Sequence, residues 1–271
     1  MRALLASPLG LLIGLSLGAL GGGGSILAVP ALVYAAGQSA KGATTTSLIL
    51  VAITSVIGIA PHWRARRVRV VPGLLFGLAG VGGSLLGSHW NTAADPDVLL
   101  LAFSGVMVAA GVAMLRRAGR QSAAAPLGST ATGSTATQPV VTVVRADPRT
   151  IAKVVAAGSG VGLLTGFFGV GGGFVIVPAL VLALSFTMPE AVGTSLLVIT
   201  INSAVALTTR LQSGAIEWGT VIPFTVASLI GVVIGGRLAG SRNSASLQRW
   251  FVGLLFAVAT YTAVKSALTI W

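Results

Sequence analysis

Conventional catalytic groups are scarce in this chain. It has no cysteine, two histidines and five acidic residues among 271, so thiolate metal sites, cysteine nucleophiles and carboxylate or histidine hydrolysis all lack parts. Glycine is the residue that is placed unusually. Gly21, Gly22, Gly23 and Gly24 run consecutively through the apolar stretch GALGGGGSILAVPALV, and Gly169, Gly171, Gly172 and Gly173 occupy a related stretch, GFFGVGGGFVIVPALV. Consecutive glycines break a helix, and a break inside a bilayer is tolerated only where the freed backbone lines a cavity or is buried in protein. Such a break gathers exposed N–H groups at the start of the next helix, with the positive end of its dipole behind them. That is an anion site. Thr46, Ser47, Thr194 and Ser195 begin the next long segments and add hydroxyl donors, and Asn202 is a rare amide inside one. The competing role for such hydroxyls is to bond their own helix carbonyls. These thirteen residues form the candidate substrate-binding set, and no catalytic residue, metal ligand or cofactor site is expected.

Other readings of the same residues fall short. A dinucleotide or phosphate loop would need G-x-G-x-x-G or a following Lys-Ser/Thr, and a preceding strand, none of which the sequence offers. Gly10, Gly14 and Gly18, like Gly158, Gly162 and Gly166 and the pairs Gly83/Gly87 and Gly231/Gly235, are spaced by four. That is the spacing of close helix packing, and they are assigned to it. A channel would want a filter-like sequence or a row of pore charges. An intramembrane enzyme would want titratable groups within segments, and His89 sits at a segment end beside Trp90 and Asn91, an interfacial setting.

The elements that position these residues follow from composition. With 54% hydrophobic and 8% charged residues and a mean hydropathy of +0.94, the chain is an all-α integral membrane protein with several crossings. A net charge of +12 sits in short clusters between apolar segments, the pattern of topology-setting loops and not of nucleic-acid binding. Apolar segments lie near residues 9–20, 25–36, 43–60, 73–90 and 98–115, and again near 154–168, 173–186, 191–209, 219–239 and 247–268. Between the two sets, 117–150 has the Ala/Ser/Thr/Gly/Pro composition of a flexible linker. The chain thus divides into a first repeat (1–116), the linker (117–150) and a second repeat (151–271).

The repeat is visible residue by residue. At a constant offset of 148, residues 10–36 and 158–184 share 13 identities in 27, VPALV recurs, and Thr46-Ser47-Leu48 maps onto Thr194-Ser195-Leu196. The N-terminal stretch has the look of a signal peptide, but signal peptides do not recur mid-chain, so it is read as structural. Segments 9–20 and 25–36 hold about 12 residues each, roughly 18 Å of helix, too short for a core of about 30 Å. Each pair is therefore a broken crossing, giving a parallel duplication, or a re-entrant hairpin, giving an inverted one. Lys and Arg divide 13 against 4 in both arrangements. The inverted arrangement is favoured because it gathers the arginines of the second repeat inside and lets two glycine-broken short helices enter from opposite faces toward the midplane.

The twin glycine motifs, each followed by TSL, resemble those of the TauE/SafE family, also called TSUP, over nearly the whole chain apart from the linker. The resemblance implies a bacterial inner-membrane transporter, often an exporter, of sulfur-containing oxyanions such as sulfite or organosulfonates. An anion channel or a carrier of a non-sulfur organic anion is the alternative. The first motif departs from the second, with Gly22 and Ser25 where the second has Val170 and Gly173. The expected partners are the lipid bilayer and a small anionic substrate, without nucleic acid, and a homo-oligomer is left open.

Overall fold

The computed structural model describes residues 7–34, 36–91, 96–123, 148–168, 173–210, 218–241 and 243–270. Among them the regular structure is all helical. Its helices are α1 (Ser7–Leu20), α2 (Gly23–Tyr34), α3 (Ala40–Arg64), α4 (Val70–Asn91), α5 (Pro96–Ala123), α6 (Pro148–Phe168), α7 (Gly173–Leu184), α8 (Met188–Arg210), α9 (Trp218–Ser241) and α10 (Ser244–Ile270). Six of them, α3, α4, α6, α8, α9 and α10, are long and apolar enough to cross a membrane, while α1, α2 and α7 are shorter apolar helices. Helix runs further into the expected linker at both ends than composition suggests, to Ala123 and from Pro148. The remainder of that stretch, 124–147, lies outside the described residues.

The first glycine run decides the path of α1 and α2. A helix running straight through would leave Ile13 and Gly24 about 16 Å apart. Instead a Cβ on Gly24 would lie 2.5 Å from the Ile13 carbonyl and 2.7 Å from the Leu17 amide. The chain therefore folds back, and α1 and α2 form a hairpin. Gly21 makes the corner with φ +69°, in the left-handed region where only glycine is at ease. The break is shorter than the run of glycines: α2 already begins at Gly23.

The four-spaced glycines pack helices, as their spacing predicts. Gly10, Gly14 and Gly18 of α1 press on the backbone near Phe224, Ser228 and Val232 of α9, and Gly158, Gly162 and Gly166 of α6 on that near Phe76, Gly80 and Ser84 of α4. From the opposite sides, Gly231 and Gly235 press on the α1 backbone, and Gly83 and Gly87 on that of α6. Residue numbers rise together across both contacts, so each pair runs parallel. α1 and α6 thus each pack on a long helix of the other half of the chain.

The remaining contacts fix the other directions. Ser55 Oγ lies 2.9 Å from Thr200 Oγ1, Gly58 meets Leu196 and His62 meets Gly193, so α3 and α8 run antiparallel. Gly111 meets Phe256 while Gln248 Nε2 donates to the Met114 carbonyl at 2.8 Å, so α5 and α10 are antiparallel as well. Gly58 meets Val232 and Pro61 meets Gly236, which makes α3 and α9 parallel and brings their C-terminal ends together. Phe76, Phe103, Phe174, Phe224 and Phe251 are fully buried between the helices, Phe103 and Phe174 edge to face at 4.8 Å. Leu78, Leu85, Leu86 and Ile222 face outward, as side chains solvated by lipid do.

Candidate substrate-binding site

The start of α2 meets the start of α7. Gly22 and Gly173 are buried against one another so closely that a Cβ on Gly22 would overlap the Gly173 carbonyl. The first turn of a helix leaves N–H groups without intrahelical acceptors, so two sets of such donors and two positive dipole ends converge here. Ser25, one turn into α2, has its Oγ where a Cβ on Gly173 would fall, and it donates to the Gly22 carbonyl at 2.7 Å. Ser195 stands on the other side of the hairpin tip. Its Oγ donates to Val192 O at 2.8 Å and occupies the space that a Cβ on Gly21 would need.

The expected residues fall in several places. Gly21, Gly22, Gly173 and Ser195 come together at this junction. Gly23 and Gly24 sit just inside α2 and face protein: Gly23 packs on Leu254 and Phe251, and Gly24 on the α1 backbone. Thr46 and Ser47 are buried on α3, and Thr194 is fully buried on α8, where its hydroxyl accepts the Arg69 amide at 3.1 Å and so ties down the α3–α4 loop. Asn202 lies farther along α8, its Nδ2 3.9 Å from a Cβ placed on Gly80, and its buried Oδ1 has no partner among the described residues. Gly169, Gly171 and Gly172 lie outside the described residues.

With this geometry in view, comparison with known proteins places the chain. The model of the family described as "Sulfite exporter TauE/SafE" matches residues 6–262. The chain belongs to the TauE/SafE family. It is similar to a "Probable membrane transporter protein" of Xylella fastidiosa (strain 9a5c), with 35% identity over 94% of this chain and 92% of the relative. It is also similar to the Bacillus subtilis (strain 168) "Probable membrane transporter protein YunE", with 25% identity over 89% and 85% of the two chains, and to that organism's "Probable membrane transporter protein YdhB", with 24% over 83% and 86%. No solved structure is significantly similar. This TauE/SafE chain is thus a multi-pass membrane protein of a transporter family.

Two groups near the site escape a reading built on glycines and hydroxyls. Glu190 accepts from Arg69 through both Nε, at 3.0 Å, and Nη2. Its other oxygen accepts the Thr187 amide at 3.1 Å and hydroxyl at 3.0 Å, capping α8. The capping half was legible as Thr-x-x-Glu before an apolar run; the arginine 121 positions away was not. The second group is His62, which is buried against α1 with Nε2 3.4 Å from the Gly18 carbonyl.

Proposed function

We propose that this TauE/SafE protein carries a small sulfur-containing oxyanion, of sulfite or sulfonate type, out across the inner membrane, and that the anion binds where the tips of α2 and α7 meet. The observation that carries the reading is the buried contact of Gly22 with Gly173, which points two helix N-termini at one place. Ser25 and Ser195 line that place with hydroxyls that now bond their own helices and are free to turn to a ligand. The tips touch in this conformation, so binding requires them to part toward one face at a time.

An inverted repeat is the architecture that fits. Under the 148-residue offset α1 corresponds to α6, α3 to α8 and α5 to α10. The antiparallel course of the last two pairs supports an axis in the membrane plane, and the α1–α2 hairpin supports re-entry over a broken crossing. In this arrangement residues 66 and 242 share the cytoplasmic face. Arg66→Cys and Arg242→Cys, made singly in this cysteine-free chain, should both be shielded from an impermeant thiol reagent in intact cells. Labelling of 242 with 66 protected would exclude the inverted arrangement.

Purified protein in proteoliposomes, offered a panel of sulfur oxyanions, should take up at least one and saturate with it. Indifference to every sulfur oxyanion, with uptake of an organic cation instead, overturns the proposal. Uptake that never saturates would favour an anion channel.

A further inference from the structure

We infer that His62 carries the proton for this transporter, taking up one proton as an anionic charge is bound, so that proton and anion cross together; the inference rests on the anion-transport reading above. His62 is 1% exposed and sits in the last turn of α3. Its Nε2 faces the Gly18 carbonyl at 3.4 Å. A carbonyl oxygen only accepts, so Nε2 keeps its hydrogen and Nδ1 is the basic lone pair. That Nδ1 is buried and has no hydrogen-bond partner among the described residues, an arrangement with a cost that structural histidines normally avoid.

The position of the ring gives the lone pair a use. Gly18 lies three residues before the corner Gly21 on α1, and Gly193, whose Cβ would lie 3.1 Å from His62 Cβ, lies two before Ser195 on α8. His62 therefore stands about one helical turn from the anion junction, between it and the arginine loop 64–69. The charged groups around it are few. α1 and α2 carry no charged residue among those described. α8 presents Glu190, which is already held by Arg69. The loop presents Arg67, whose carbonyl lies 2.9 Å from a Cβ on Gly193. On α9, Arg237 beside the Pro61 contact is exposed. No acid in this set is free to hold a protonated imidazole, so the substrate anion is the negative charge available to it. Anion and proton then raise each other's occupancy, as reciprocal linkage requires. The proton enters from water onto Nδ1 on one face and leaves to water on the other.

The test uses full-length protein in proteoliposomes with radiolabelled sulfoacetate and a lumenal pH dye. Wild type should move protons in step with sulfoacetate. His62→Gln should lose sulfoacetate-driven proton flux by about tenfold or more, a typical coupling magnitude, yet keep exchange of labelled for unlabelled sulfoacetate. Wild-type sulfoacetate flux without proton flux overturns the inference and leaves the transport reading standing. Proton coupling retained in His62→Gln also overturns it. Equal loss of exchange and proton flux in assembled His62→Gln and His62→Asn makes the residue structural, again against the inference. Wild type that moves no sulfur oxyanion at all refutes the transport reading instead.

Discussion

Gly14 and Gly21 stand seven residues apart on one hairpin and do opposite things. Gly14 is helical and buried, and its missing Cβ lets α9 come within backbone contact at Ser228. Gly21 ends the helix, turns left-handed at φ +69° and leaves room for the Ser195 hydroxyl. One glycine holds two halves of the chain together; the other shapes the proposed binding site. Spacing distinguishes them, because glycines four apart make a stripe along a helix while adjacent ones cannot.

The largest effect should come from breaking the stripe. Gly14→Leu, or Gly162→Leu on the matching arm, forces a branched side chain into the carbonyl backbone of the facing helix. Overpacking costs typically about 1–3 kcal/mol where neighbours can move, and rigid backbone has less freedom to do so. Little assembled protein should reach the membrane, as read by detergent-solubilised size-exclusion profiles. A normal profile would remove the stripe from its proposed role. Gly231 belongs to the same class, since its Cβ would overlap the Leu11 carbonyl.

Next in size is the corner itself. Gly21→Ala imposes a left-handed conformation on a residue with a Cβ, at roughly 1–2 kcal/mol, and drives that Cβ into Ser195 Oγ. Assembly should survive while transport falls at least about tenfold, the rate equivalent of 1.4 kcal/mol. Pairing it with Ser195→Ala should restore part of the loss, because the overlapping atom is gone and neighbouring sites do not add. If the double variant is as poor as the sum of the singles, Gly21 and Ser195 do not share a site.

How far the sequence alone reaches can be judged at these same positions. Every packing glycine named from its four-residue spacing is found at a helix contact, because that spacing is a local property. The glycine run marks a break over residues 21 to 24, yet only Gly21 and Gly22 lie between the helices, since a glycine is also compatible with the first turn of a helix. Thr194, a ligand donor by its place in the TSL motif, accepts the amide of Arg69. His62 and the Arg69–Glu190 pair were not visible at all. These depend on which residues distant helices bring together, and periodicity carries no information about that.

A smaller change is expected at Ser195 alone. Ser195→Ala removes one neutral hydrogen bond, worth about 0.5–1.5 kcal/mol, and creates no overlap. Substrate affinity should weaken by roughly two- to tenfold with maximal rate and assembly kept. A lower maximal rate at unchanged affinity would make the hydroxyl part of the moving tip and not a ligand contact.

The smallest effect should be at Gly160, which lies on the same helix as the α6 stripe but off its face. It is exposed, and a Cβ there meets nothing within 4 Å. In a helix interior alanine is favoured over glycine by about 0.5–1 kcal/mol, and no contact opposes the gain. Gly160→Ala should therefore leave transport unchanged and raise the midpoint of thermal unfolding slightly. Gly158 and Gly162, two residues to either side, meet the α4 backbone at Phe76 and Gly80, so the same alanine at either should lower the midpoint. Opposite signs two residues apart would show that the facing backbone, not glycine content, decides these positions. A fall at all three would mean that α6 needs its glycines for a reason other than α4.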